Sequence, residues 1–301
     1  MTNKTHAWVH AFRLRTLPLA LSSIILASML AVTHQSFSWA VAILAAVTTL
    51  FLQILSNLSN DYGDSANGID NDERVGPVRA IQSGVISPQE MKRMVLIFAG
   101  LAFISGVFLI YAGTHHLEMS YGLLFLLLGI AAIVAAIKYT VGKNPFGYRG
   151  LGDLYVFIFF GLAGTVGTYF LQTNTLPFSI FLPAISVGFL SVGVLNINNM
   201  RDIINDERSG KRTIVVMIGS KVAKIYHILL IVIAFVLASV YVLINFGSWH
   251  NFLYVLAFIP LVLHLKRVWE NKEPSLLDPE LKVLALCTLL FSVLFGLGFI
   301  I

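Results

Sequence analysis

Nine apolar runs of about 20 residues follow one another along this chain, near 17–33, 38–58, 93–113, 119–138, 153–172, 177–196, 224–246, 250–266 and 283–301. About 20 apolar residues is the length one α-helix needs to cross bilayer hydrocarbon. Inside that hydrocarbon each backbone amide must be paired within its own segment or a closed barrel, so runs of this length read as helices. The expected fold class is all-α: a polytopic membrane protein with nine transmembrane helices in one bundle. Composition enters as a check. With 57% hydrophobic and 12% charged residues, the chain lies far from soluble domains, in which about a quarter of residues are charged. One cysteine, Cys287, excludes an internal disulfide framework and a Cys-rich metal site, and its apolar surroundings make it a packing residue.

If alternate loops lie on opposite sides, all 20 Lys and Arg fall on the side of the N-terminus. Positive loops stay in the cytoplasm, which puts the N-terminus and loops 2–3, 4–5, 6–7 and 8–9 inside and the C-terminus outside. A miscounted span would have mixed the two sets. Lys4, Arg13 and Arg15 before the first run look like the start of a signal peptide, but the many spans that follow make it an uncleaved segment. The basic pI of 9.3 is assigned to membrane orientation rather than to a nucleic-acid partner.

The acids share the cytoplasmic bias, with only Glu118 of 15 outside, although acids contribute little to orientation. They gather after span 2, from Asn57 to Asp70, and after span 6, from Asn199 to Thr213. A shift of 142 residues places Asn57 on Asn199, Asn60 on Asp202, Asp64 on Asp206 and Gly68 on Gly210. A four-span repeat preserves orientation, so both motifs reach the same face. The expected organisation is one membrane domain over 1–301, with repeat 1 near 17–138, repeat 2 near 153–266 and a ninth helix near 283–301.

If each helix continues into its motif, Asn57, Asp61 and Asp64 line one face, as do Asn199, Asp202 and Asp206. Carboxylates a turn apart repel and lose hydration at membrane depth, so a cation is expected among them. Oxygen-only ligands favour Mg²⁺, which is held by one or two carboxylates together with substrate phosphates. Four aspartates and a diphosphate ester carry about −7, of which two Mg²⁺ ions neutralise about 4, leaving the rest to Arg and Lys. Arg74, Arg79, Arg201, Lys211 and Arg212 stand in or beside the motifs, and Arg binds phosphate oxygens through its fork. A solvated connector is the competing reading for such loops. A third loop, Lys138 to Asp153, is rich in Gly and aromatics. Its Tyr and basic residues suit an aromatic acid or a carbocation, while a glycine-rich connector fits its composition as well. His115 and His116 read as interfacial residues.

At Asn60-Asp61-Tyr62-Gly63-Asp64, Arg74 through Arg79, Tyr139 through Gly152 and Asn199-Met200-Arg201-Asp202 through Thr213, the chain resembles the UbiA superfamily of intramembrane prenyltransferases. The likeness runs over essentially its full length. It is most similar to the branch that prenylates 1,4-dihydroxy-2-naphthoate. Lys143 and Asp153 depart from that branch, which often has Pro and Glu there. The resemblance implies a multi-pass protein of the bacterial inner membrane. It further implies two Mg²⁺ bridging Asp61, Asp64, Asp202 and Asp206, helped by Asn57 and Asn199, to a polyprenyl diphosphate. The aromatic ring would capture the allylic cation at its carboxyl-bearing carbon, with loss of CO₂. Tyr139 and Tyr148 would lie beside that ring, and Arg149 or Lys143 would pair with its carboxylate. Competing readings are another aromatic acceptor, 4-hydroxybenzoate or homogentisate, and a transporter. No span carries the mid-bilayer charged pair expected of a translocation path.

Overall fold

The protein, seen here in a computed structural model, is described over residues 4–69 and 78–301. Asp70 and Arg74 lie outside the described residues. Helix α1 (Lys4–Phe12) is followed by a 3₁₀ turn and then by α2 (Leu17–Thr33), α3 (Trp39–Ala66), α4 (Pro88–Thr114) and α5 (Met119–Lys138). The fifth crossing is composite: α6 (Gly152–Val156) passes into π-helix over Phe157–Gly167 and returns to α-helix in α7 (Thr168–Thr173). The crossings α8 (Phe181–Arg208), α9 (Ile214–Ile244), α10 (Val255–Glu270) and α11 (Asp278–Ile300) complete the bundle. Among the described residues, nine helical stretches are long and apolar enough to cross a membrane.

The starts and stops have local causes. Ser38 Oγ accepts from the Val41 amide at 3.4 Å to cap α3, and Thr213 Oγ1 accepts from the Val216 amide at 3.3 Å to cap α9. Ser87 and Glu90 form a reciprocal capping box ahead of α4, with Pro88 at its first position. Two ends are built alike. Gly68 (φ 71°) and Gly210 (φ 73°) stop α3 and α8 in Schellman motifs. Ile69 N–H donates to Asp64 C=O at 2.9 Å and Gly68 N–H to Ser65 C=O at 3.3 Å. The same bonds recur from Lys211 to Asp206 at 2.8 Å and from Gly210 to Glu207 at 3.1 Å.

Spans 2 and 6 were expected to end near 58 and 196, but α3 runs to Ala66 and α8 to Arg208. An apolar window ends where polar residues begin. These helices continue because the polar residues of their last turns are buried against partners in the bundle. Span 7 likewise starts at Ile214 rather than near 224, and Gly219 at φ 77° breaks it early.

The wide π turns pack through glycine. A Cβ on Gly161 would lie 2.6 Å from Gly188 Cα, and one on Gly164 would lie 2.5 Å from Ser23 Oγ. The fifth crossing therefore sits against α8 and α2 at backbone distance. On the far side, α9, α10 and α11 are joined by polar groups, of which His227, His264 and Glu280 are buried. His264 Nδ1 lies 2.6 Å from Glu280 Oε2, its Nε2 lies 2.8 Å from His227 Nε2, and Arg267 Nε donates to Glu280 Oε1 at 2.5 Å. Leu123, Leu127, Ile259 and Val262 are exposed large apolar side chains that suit a lipid-facing surface.

Candidate active site

The last turns of α3 and α8 bring their acids together at one end of the bundle. Asn205 Nδ2 donates to the Ile69 carbonyl at 3.2 Å, joining the second motif to the residue that ends the first. Below this junction lies a cavity of about 890 Å³. Its upper wall includes Asn57, Asp64, Asn199, Asp202, Asp206 and Lys211, and its lower wall is apolar, with Ile24, Leu109, Leu128, Phe159, Leu162 and Phe170. Arg79 and Tyr139 also line it. Such a shape holds a charged head at the polar end and a long apolar tail beneath it.

Each aspartate has a cation beside it. Asp61 accepts from Arg13, lies 3.5 Å from Arg79 Nη1, and does not line the cavity. Asp64 lies 2.7 Å from Arg79 Nη1 and accepts from the Tyr148 hydroxyl. Asp202 accepts from Arg201 Nε at 2.9 Å and from Nη2 at 2.6 Å. Asp206 Oδ1 is 3.3 Å from Lys211 Nζ. All four carboxylates are buried, and buried charge persists only when paired in this way. Arg79 Nη1 additionally donates to the Asn60 carbonyl at 2.8 Å, so its fork faces the cavity from a fixed position. Burial works against the Lys211 ammonium, but Asp206, Asp64 and Asp202 hold it above the usual lysine range.

The loop between α5 and α6 closes over this end. Thr140 Oγ1 lies 2.9 Å from the Ser59 carbonyl, and Asn67 Nδ2 donates to the Thr140 carbonyl at 3.0 Å. Gly63 permits the contact, since a Cβ there would lie 2.6 Å from the Thr140 backbone. Tyr139, Phe146 and Tyr155 form an aromatic wall of the cavity, with Phe146 stacked on Tyr155 at 3.8 Å. Burial and the neighbouring Asp64 push the Tyr148 phenol far above its usual range, so it serves Asp64 as a protonated donor. Lys211 Nζ stands 5.6 Å from the centroid of the Tyr148 ring. Lys143, Arg149 and Arg212 are exposed and do not line the cavity.

The donor set suits a hard divalent ion. Asp206 Oδ2 and Asn205 Oδ1 are buried with no hydrogen-bond partner, and Asn57 and Asn199 add amide oxygens. Among the described residues no three Asp, Glu, His or Cys side chains are grouped so as to hold a metal ion by themselves; Mg²⁺ at such a site would need phosphate or water oxygens as well. Residues beyond the sequence expectations also take part. Arg13 reaches Asp61 from before the first span. Asp278, at the start of α11, meets Arg201 at 2.5 Å. Asp153, already named from the sequence, is buried and accepts from the Tyr226 hydroxyl at 2.9 Å, and neither residue lines the cavity.

Solved structures with this architecture include a UbiA homolog from Aeropyrum pernix K1 (TM-score 0.68, 18% identity, 99% of this chain and 98% of that one). A UbiA homolog from Archaeoglobus fulgidus bound to GPP and Mg²⁺ is similar (TM-score 0.61, 17% identity, 96% and 99%). At these identities the likeness speaks for the fold. Sequence relatives are nearer. The 1,4-dihydroxy-2-naphthoate octaprenyltransferase of Haemophilus influenzae is 44% identical over 100% of this chain and 98% of its own length. That of Escherichia coli is 42% identical over 98% and 96%. A model of the UbiA prenyltransferase family matches residues 20–278, a stretch that takes in both acidic motifs and the loop above the cavity; this chain belongs to that family.

Proposed function

We propose that the chain transfers a polyprenyl group from polyprenyl diphosphate to 1,4-dihydroxy-2-naphthoate, releasing diphosphate and CO₂ and forming demethylmenaquinone in menaquinone biosynthesis. The observation that carries the reaction type is a cavity running from Asp64, Asp202 and Asp206 into an apolar chamber. The acceptor rests on the two full-length relatives named for it.

Asp64, Asp202 and Asp206, with Asp61 once Arg13 withdraws, and the amides of Asn57 and Asn199 would hold two Mg²⁺ ions. When bound, these ions neutralise diphosphate oxygens and improve the leaving group. Arg79 and Lys211 would take the remaining charge of the diphosphate, with Arg201 and Arg212 as further cations of this end and Arg74, outside the described residues, as a further candidate from the sequence. The apolar lower wall would hold the tail and exclude water that would otherwise quench the allylic cation. Tyr139, with Phe146 and Tyr155, would set the acceptor ring beside the reacting carbon and offer ring faces to the cation. Tyr148 would steady Asp64 above it, and Lys143 and Arg149, which lie off the cavity lining, would meet the acceptor carboxylate as the acid approaches the loop. Repeat-related motifs 142 residues apart, each closed by the same glycine stop, support two four-helix repeats with α11 added. The bacterial relatives and the one-sided Lys and Arg support a cytoplasmic membrane with the N-terminus and active site inside.

Purified protein in nanodiscs should convert an octaprenyl diphosphate and 1,4-dihydroxy-2-naphthoate to the prenylated, decarboxylated product, seen by mass spectrometry alongside released pyrophosphate. Product formed from 4-hydroxybenzoate or homogentisate instead would replace the acceptor, and no pyrophosphate release in any combination would overturn the reading.

A further inference from the structure

Of the four cations that pair with the aspartates, Arg201 is the most enclosed. Its side chain is 2% exposed, against 23% for Arg13 and 12% for Lys211. Its fork is fully engaged. Nε and Nη2 hold the two oxygens of Asp202 at 2.9 and 2.6 Å, Nη2 also donates to Asn198 Oδ1 at 3.0 Å, and Nη1 donates to Asp278 Oδ1 at 2.5 Å. A divalent ion brought to the oxygens of Asp202 would meet the guanidinium charge at contact distance, so Arg201 must give up at least part of that contact. Arg13 can withdraw towards water. Arg201 has no water to turn to, and a buried cation that loses its carboxylate carries an uncompensated desolvation cost.

We infer that Asp278 is a positioning residue that holds Arg201 when Asp202 is handed to the metal. It lines the cavity, its side chain is 37% exposed, and its second oxygen is only loosely committed, to Arg15 at 3.7 Å. One buried guanidinium thus has two carboxylates, and either can be surrendered without orphaning it. The arrangement lies outside the twofold likeness of the acidic motifs, because Asp278 belongs to α11, the helix left over after two sets of four. The fifth carboxylate adds the charge needed to keep Arg201 in place while Asp202 turns to the ion. The inference rests on the reading of Asp202 as a metal ligand.

The test uses Mn²⁺ as the probe, with binding to the purified full-length chain in nanodiscs followed by electron paramagnetic resonance, with and without inorganic pyrophosphate. Asp278→Asn should weaken Mn²⁺ binding about tenfold, which corresponds to about 1.4 kcal/mol. It should raise the Mg²⁺ concentration needed for half-maximal turnover while leaving the acceptor KM in place. Asp278→Glu, which keeps the charge, should recover most of the affinity. The decisive comparison removes the cation: in an Arg201→Met background, Asp278→Asn should cost nothing further. If Asp278→Asn binds Mn²⁺ like the unmodified chain while Asp202→Asn does not, the hand-off is wrong and the metal reading stands. An equal loss on adding Asp278→Asn to Arg201→Met would also sink it, by making Asp278 a ligand or a structural residue in its own right. If Asp202→Asn binds Mn²⁺ normally, the metal reading of Asp202 falls, and the hand-off with it. Thermal unfolding of each variant separates lost binding from lost folding.

Discussion

At the residue scale, the site is a set of matched charges whose members differ in what they can release. Asp64 and Asp206 line the cavity from opposing helices, so Asp64→Ala and Asp206→Ala should each lower kcat/KM by about 100-fold or more, the range for losing one group that stabilises developing charge. Pyrophosphate release at fixed Mg²⁺ reads this, and near-normal rates in well-folded variants would remove both from the metal site. Arg79 reaches Asp64 and the Asn60 carbonyl through one nitrogen of its fork. Arg79→Lys should therefore raise the donor KM by about tenfold or more, since a point charge does not reproduce fork geometry. A donor KM unchanged in that variant would exclude Arg79 from the diphosphate. For the acceptor, Arg149→Ala or Lys143→Ala should raise the acceptor KM and spare the donor KM, because a contact made equally in ground and transition state acts on KM. Equal effects on both substrates would move these cations away from the carboxylate. The aspartate set could be proposed from sequence because a helical period puts i, i+4 and i+7 on one face; Asp64, Asp202 and Asp206 line the cavity, whereas Asp61 does not. Arg13 and Asp278 could not be. Their partners, Asp61 and Arg201, lie 48 and 77 residues away, and only the packing of α1 and α11 against the bundle makes them neighbours.

At the scale of elements, the glycines of the two motifs act as stop signals. Gly210 needs its positive φ to turn the chain so that Lys211 returns over Asp206, and a Cβ there meets nothing within 4 Å. Gly210→Ala should cost only the left-handed backbone penalty of about 1–2 kcal/mol, read as a modest fall in melting temperature. Gly63→Ala is a different case, since its Cβ would strike the Thr140 backbone at 2.6 Å. It should push the α5–α6 loop off α3 and lower turnover more than Gly210→Ala does; a mild Gly63→Ala variant would show that this loop yields at little cost. The helices themselves were legible from apolar length, but their ends beyond Asn57 and Asn199 were not, because hydropathy falls where helix persists. The π turns of the fifth crossing left no signature either. Phe157–Gly167 reads as any apolar run, and what distinguishes it is the fit of Gly161 against Gly188 and of Gly164 against Ser23, residues far apart in the chain. Such π segments recur at functional sites, and this one supplies much of the cavity's apolar wall.

For the whole molecule, the bilayer and the reaction impose the same polarity. A polyprenyl tail belongs in hydrocarbon and a diphosphate belongs at its edge, so the charged end of the cavity has to lie at one membrane face. The one-sided distribution of Lys and Arg sets which face that is, because basic loops resist translocation. In the orientation proposed above, both motifs and the α5–α6 loop would open to the cytoplasm, where a water-soluble aromatic acid is at hand. The chain offers a clean way to test this, since its single cysteine, Cys287, is buried within α11. Lys143 and Glu118 are exposed in successive loops at opposite ends of α5. In intact cells a membrane-impermeant maleimide should label Glu118→Cys and leave Lys143→Cys untouched. In inverted membrane vesicles the pattern should reverse. Labelling of Lys143→Cys from outside intact cells would turn the whole bundle over and place the diphosphate end on the wrong side for a cytoplasmic substrate. Equal labelling from both sides would mean that the crossings of α5 do not separate the two compartments, contrary to its 20 apolar-rich residues and the length that hydrocarbon requires.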